Sequence, residues 1–326
     1  MKHMNSKGVS RYFSQYRWSN IGAMIRNNRR DPEICRDDFR DRLVVISGAT
    51  SGIGYHTARK FASQGAHLFC INRNEQKSTD LKAEIEQEFG VRCGYVLADL
   101  SDLKDIHRTV EELGKITDPI DVLIHNAGVY LTKRELTGDG FDRVFVVHHL
   151  ASFMINILLS GKLMSQERAR IILVNSEGHR FAAWGMRLDD LNWEKRRYSG
   201  LKSYGSAKLA QLQTMLILHE YFRSSGVTIN AMHPGAVRSD TGRENGAYYR
   251  WIKRNLYDKI LRPTDIASES IYCLGVSKEL EGVSGKFFNL TTEEEPAPPA
   301  LDREAALETW KKSMEMAQIP DRFLKP

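Results

Sequence analysis

Val44-Val45-Ile46-Ser47-Gly48-Ala49-Thr50-Ser51-Gly52-Ile53-Gly54 is the stretch from which this chain becomes readable. The β-branched apolar run reads as a buried strand, and the glycines after it end that strand. Residues 55–62 then read as helix. A helix N-terminus after a glycine-rich turn offers N–H groups and a positive dipole end to a pyrophosphate, and glycine lets backbone approach it closely. The spacing Gly-x-x-x-Gly-x-Gly differs from the commoner Gly-x-Gly-x-x-Gly fingerprint. A purely structural turn is the competing reading. The flanking strand and helix favour a dinucleotide site, with Gly48, Ser51, Gly52, Ile53 and Gly54 as candidates.

Outward from this turn, apolar strands alternate with longer amphipathic stretches. Strands are expected at Leu43–Ser47, His67–Ile71, Gly94–Leu97, Val122–His125, Arg170–Val174, Thr228–Met232 and Lys286–Asn289. Helices are expected at 52–64, 75–89, 102–117, 138–164, 202–224, 264–276 and 302–316. Such alternation predicts an α/β fold with a doubly wound parallel sheet, and ligands then bind at the carboxyl ends of the strands.

Tyr204 and Lys208 fall four apart in Tyr204-Gly205-Ser206-Ala207-Lys208, on one face of a predicted helix. A neighbouring ammonium would lower the phenol's pKa and make it a proton donor or acceptor near neutral pH.

Taken in order, Gly48-Ala49-Thr50-Ser51-Gly52-Ile53-Gly54, Asn126-Ala127-Gly128, Ser176, Tyr204-x-x-x-Lys208 and Pro234-Gly235 resemble the short-chain dehydrogenases/reductases over residues 41–290. Phe141-Asp142-Arg143-Val144-Phe145, His233 through Ser239 and Ser284-Gly285-Lys286-Phe287-Phe288 are similar to the retinol dehydrogenase-like branch. The resemblance implies a Rossmann fold and a nicotinamide cofactor. It implies Tyr204 as acid or base, Lys208 as its support and ribose ligand, and Ser176 as the group steadying the substrate oxygen. It also implies cofactor contacts from Asp99, Leu100, Asn126, Ala127, Gly128, Pro234, Gly235 and Ser239. Two departures stand out. Ser176 precedes Tyr204 by 28 residues, a long gap that the retinol dehydrogenase-like branch shares. His148, in Val147-His148-His149-Leu150-Ala151, stands where the family has an asparagine supporting a proton-relay water. A histidine there can carry the relay, block it, or simply pack.

The turn after the second strand, Ile71-Asn72-Arg73-Asn74, bears on cofactor choice. An acid there would hold a ribose hydroxyl and repel a 2′-phosphate, whereas arginine can hold that phosphate. Asn72 and Arg73 therefore favour NADP(H), with NAD(H) also usable if Arg73 is only a solvated charge.

The chain has 326 residues, 41% of them hydrophobic, enough for one large domain. Net charge is +6, yet residues 1–30 carry seven basic residues and no acid, so the remainder carries −1. A near-neutral body argues against nucleic-acid binding by it. The organisation expected is a basic, aromatic-containing leader over 1–40, a catalytic domain over 41–290 with a substrate lid at 238–262, and an acidic Pro-rich linker with a final helix over 291–326. The leader (Tyr12, Phe13, Tyr16 and Trp18 among arginines) can contact an anionic membrane surface or pack on the domain or a partner subunit. Scattered Cys35, Cys70, Cys93 and Cys273 suggest a reducing compartment, and no stretch approaches the ~20 apolar residues of a membrane span. A cytoplasmic location follows, with peripheral membrane attachment and homo-oligomerisation as further expectations. No metal is expected, because the histidines lack ligand spacing.

The lid's aromatics (Tyr248, Tyr249, Trp251, Tyr257) and those of the 180–200 insert (Phe181, Trp184, Met186, Trp193) favour a lipophilic carbonyl or alcohol substrate, unless they close a core or interface. Glu177, Asp189 and Asp190 read as surface or loop carboxylates. The sequence thus points to an NADP(H)-dependent oxidoreductase. A dinucleotide-binding scaffold or redox sensor, or an epimerase or lyase on the same fold, are the alternatives.

Overall fold

The computed structural model describes residues 11–237, 245 and 261–320. Among the described residues, eight strands form one sheet in the order β3-β2-β1-β4-β5-β6-β7-β8. They are β1 Leu43–Ser47, β2 His67–Asn72, β3 Cys93–Leu97, β4 Ile120–His125, β5 Ala169–Val174, β6 Val227–His233, β7 Phe287–Asn289 and β8 Thr292–Glu293. All pairings are parallel except β7 with β8. β1 through β6 lie within two residues of the expected segments, because apolar β-branched runs suit a sheet covered on both faces. Val44, Val45 and Ile46 of β1 are fully buried, their side chains alternating between two hydrophobic clusters on opposite faces of the sheet. The order reverses between β1 and β4, which creates the crevice where such folds take ligands.

The expected 138–164 helix is real but broken. It runs as Arg143–Phe145, a π turn at Val146–Leu150, Ala151–Leu158 and Ser160–Met164. The widened turn leaves both His148 and His149 buried.

Residues 291–300 are not an open linker. Thr292–Glu293 folds back on β7, and Pro298–Leu301 is a short helix with proline in its first turn. Ala297 and Ala300 are buried, and Gln213 Nε2 donates to the Pro299 carbonyl at 2.8 Å. Small apolar residues let this segment settle against the Gly200–Tyr221 helix. The Arg303–Met316 helix lies on that same helix, with Trp310 edge-on to Phe153 at 5.0 Å.

The leader folds as a helix at Trp18–Asn27 and touches this C-terminal segment. Tyr12 Oη donates to Asp302 at 2.8 Å, Arg11 pairs with Asp302 at 2.6 Å, and Tyr16 Oη donates to the Ala183 carbonyl at 2.8 Å. Phe13 and Trp18 stay exposed, at 71% and 86%.

Candidate active site

A cleft of about 620 Å³ opens at the carboxyl ends of β1 to β6, as the switch point requires. Gly48, Ser51, Gly52 and Ile53 line it after β1, Arg73 after β2, Asp99 and Leu100 after β3, and Asn126, Ala127 and Gly128 after β4. Ser176 enters after β5, Pro234 and Gly235 after β6, and Tyr204 and Lys208 from the long helix. Gly54 sits just beneath the turn. Ser239, and the lid apart from Asn245, Leu261 and Arg262, lie outside the described residues.

The glycine turn is clamped from β4. Asn126 Nδ2 donates to the Ser47 and Gly48 carbonyls at 3.0 Å each, and Ser47 Oγ accepts the N–H groups of Asn126 and Ala127 at 3.0 Å. Gly48 and Gly52 have φ of +72° and +55°, a left-handed conformation that costs glycine nothing. A Cβ on Gly54 would fall 2.0 Å from the Gly48 carbonyl oxygen. The Gly52–Ser63 helix starts without a side-chain cap. Backbone kept bare on one side and N–H groups at a helix start fit a diphosphate. Asn72 acts from below: it is buried, and its Oδ1 accepts the Ala49 N–H at 2.9 Å. It thus holds the turn and also lines the cleft. Basic groups facing that end include Arg73, Arg143 and also Lys77, which sequence reasoning missed although it stands in the first turn of the next helix.

Arg73 Nη1 lies 3.9 Å from Asp99 Oδ2. Burial pushes the Asp99 carboxyl up, but hydrogen bonds from the Ser101 hydroxyl and amide, then the Arg73 charge, bring it below its usual range. The helix cap here is Asp102, accepting from Lys104 N at 2.8 Å, which leaves Asp99 facing the cleft.

At the other end stand Ser176, Tyr204 and Lys208. Ser176 Oγ accepts the Gly178 N–H at 3.0 Å and stands beside Tyr204. Lys208 Nζ donates to the Val174 carbonyl at 2.7 Å and lies 5.9 Å from the Tyr204 ring centre. The expectation that lysine depresses the phenol is corrected here. Burial raises the Tyr204 pKa, with the Ser176 hydroxyl only partly offsetting it, while burial lowers Lys208 to about 7. Desolvation sets the direction of both shifts, each side chain being buried. Asn175, also missed, ties β5 to the long helix by donating to the Lys208 carbonyl at 3.0 Å and to Gln211 at 2.8 Å.

His148 is buried under the β4 loop. Its Nε2 lies 2.7 Å from the Val129 oxygen and 3.0 Å from the Val129 nitrogen, and its ring meets Tyr204 edge-on at 5.1 Å. A Cβ on Gly128 would strike it at 2.4 Å. Burial, then Lys208, keep the imidazole neutral. Its backbone carbonyl accepts Gln211 Nε2 at 2.9 Å.

The 180–200 insert differs from expectation. Phe181, Trp184, Met186 and Trp193 are absent from the described lining of the cleft. Trp193 is buried beneath Arg196, and Trp184 stacks on Phe13 of the leader. Glu177 and Asp190 are not surface carboxylates either. Asp190 is bonded to Arg196 at 2.9 Å, and burial raises Glu177 to about 7. Among the described residues no cluster suits a metal ion.

A family model described as short chain dehydrogenase matches residues 42–186. Human retinol dehydrogenase 13 is 32% identical over 285 residues, covering 85% of each chain. The chain belongs to the short-chain dehydrogenase/reductase family, in its retinol dehydrogenase-like branch. This short-chain dehydrogenase is also 30% identical to human retinol dehydrogenase 14, over 89% of this chain and 90% of that one. Among solved structures it is similar to a Mycobacterium Paratuberculosis protein (TM-score 0.68, 25% identity, 86% of this chain and 95% of that one). It shares its fold with the L-sorbose reductase of Gluconobacter frateurii, solved with NADPH and L-sorbose (TM-score 0.62, 17% identity, 78% and 97%). The protein is an NAD(P)-dependent oxidoreductase.

Proposed function

We propose that the protein reduces a lipophilic carbonyl with NADP(H), or oxidises the matching alcohol, through Ser176, Tyr204 and Lys208. The observation that carries this is the meeting of those three side chains at one end of a cleft whose other end is a diphosphate-shaped turn. The nicotinamide, when bound, supplies or accepts the hydride. Tyr204 stays protonated at neutral pH and gives its proton to the carbonyl oxygen. Ser176 hydrogen-bonds that oxygen and opposes its developing charge. Lys208, poised near neutrality, charges readily and steadies the phenolate left behind. His148 serves from its neutral ring, seating the Asn126–Gly128 loop and bracing Tyr204.

Arg73 and Lys77 support preference for NADP(H), since two cations at the ribose end suit a 2′-phosphate. The aromatic lid sequence and the relatives named retinol dehydrogenases support a lipophilic substrate. The exposed Phe13 and Trp18 in a basic leader support contact with an anionic membrane surface.

The test is deuterium transfer from C4-labelled NADPH to a panel of retinoid, steroid and fatty aldehydes. Labelled alcohol product is expected, at higher kcat/KM than with NADH. NADPH binding without label transfer to any member would favour the scaffold reading.

A further inference from the structure

Ser176 is held from behind by residues that do not line the cleft. Its backbone carbonyl receives two hydrogen bonds from His179: the backbone N–H at 3.1 Å and ring Nδ1 at 2.7 Å. Across the same ring, Nε2 accepts the Ala297 N–H at 3.0 Å. One neutral tautomer, protonated on Nδ1, satisfies both contacts. His179 is fully buried, and burial followed by the Arg180 charge lowers its pKa to about 3, which keeps that form.

The next residue extends the link. Arg180 Nε donates to Glu177 at 2.5 Å, and its Nη2 donates to Glu294 Oε1 at 3.0 Å and to the Glu295 carbonyl at 3.1 Å. Glu294, its side chain 2% exposed, takes Asn27 Nδ2 at 2.9 Å and Asn289 Nδ2 at 3.2 Å on its other oxygen. Asn27 is the last residue of the leader helix. A path of hydrogen bonds, joined through the backbone between Arg180 and His179, therefore runs from the leader, through the 291–297 strap, to the residue bearing the Ser176 hydroxyl. A buried ion pair adds little net stability, whereas it fixes direction well.

We propose that the 291–297 strap, clamped to the leader helix through Glu294 and Asn27, positions Ser176, with His179 as the joint. The inference rests on the reading of Ser176 as the group that binds the substrate oxygen.

A double-mutant cycle on the full chain tests it. Glu294→Gln and His179→Asn should each lower kcat for NADPH-dependent aldehyde reduction by about 10- to 100-fold, as misplacement of a reacting group does, with KM and NADPH affinity within about twofold. In a Ser176→Ala background the same changes should cost almost nothing more, because the group they position is gone. Full additivity on Ser176→Ala, or a loss confined to KM or Tm, overturns the proposal. Amide hydrogen exchange adds a readout independent of turnover. Asn27→Asp, which sets a second carboxylate beside Glu294, should speed exchange across residues 177–182 without NADPH present; unchanged protection overturns the proposal, and this arm decides if His179→Asn fails to fold. Absence of turnover in the unmodified protein would instead defeat the reaction reading, leaving the exchange result to judge the strap.

Discussion

Gly54→Ala probes the cofactor cradle with the least added chemistry. The new Cβ would lie 2.0 Å from the Gly48 carbonyl oxygen, 2.5 Å from Asn126 Nδ2 and 2.9 Å from the Gly48 carbonyl carbon. Two of these three atoms are backbone of the turn, so no side-chain rotation relieves the clash. Ordinary contact begins near 3.4 Å, and the turn must therefore open by more than an ångström. Opening it also strains the bond from Asn126 Nδ2 to the Gly48 carbonyl, now 3.0 Å. Overpacking of this kind costs about 1–3 kcal/mol, and a weakened hydrogen bond adds roughly 1 kcal/mol. Where that strain falls on the diphosphate's seat, NADPH affinity drops about 10- to 100-fold, at 1.4 kcal/mol per decade. Quenching of protein fluorescence by NADPH gives the Kd, and calorimetry gives the Tm. Gly114→Ala is the control: outside its own helix backbone no atom lies within 4 Å of its Cβ, so affinity should hold and helix propensity should add up to about 1 kcal/mol of stability. An unchanged Kd in Gly54→Ala would refute the assignment of this turn to the dinucleotide.

Three further outcomes follow from the same structure. Arg73→Glu should lower kcat/KM with NADPH at least about 10-fold while sparing NADH, since a charge-assisted phosphate contact becomes a repulsion; equal effects on both cofactors would remove Arg73 from cofactor choice. Burial lowers His125 and His233 to about 4 and His149 to about 3. Above pH 6.5 both folded and unfolded chains hold these rings neutral, so stability is full there; as pH falls through 6.5 only the unfolded chain takes up protons, and each ring withdraws about 2 kcal/mol by pH 5. Tm should therefore fall steadily from pH 7 to 5, less steeply in His149→Gln, and a flat profile would contradict the burial. Lys208, lowered to about 7, should give carbonyl reduction a decline as pH rises through that region, because the ammonium that steadies the phenolate is lost; a rate independent of pH from 6 to 9 would show that Lys208 does not titrate in turnover.

Much of the architecture was legible in the chain because its sheet is covered on both faces. Runs such as Val44-Val45-Ile46 read as buried strands, and β1, β2, β4 and β5 end where a glycine, asparagine or serine meets the cleft. The Tyr204–Lys208 spacing likewise needs only helical geometry. What escaped reading depends on distant partners. Glu177 resembles any loop acid until Arg180 and Glu294 enclose it, and Glu294 lies 117 residues further along the chain. Residues 291–300 look like a linker because proline and glutamate suggest solvent. Only the pairing of Thr292–Glu293 with β7 and the fit of Ala297–Ala300 against the long helix bury them. The π turn at Val146–Leu150 has no local signature, so the position of His148 beneath Gly128 could not be read either. Spacing likewise places Lys208 near Tyr204 but does not reveal how deeply both are buried, which sets the direction of the Tyr204 shift.

Tyr204→Phe gives the most direct measurement of the central claim, in single turnover with NADPH and a lipophilic aldehyde. Removal of one hydroxyl should slow hydride transfer about 10²- to 10⁴-fold, the usual contribution of a positioned proton donor, while NADPH Kd and Tm stay close to those of the unmodified protein. Hydride transfer at an undiminished rate in Tyr204→Phe would contradict the account.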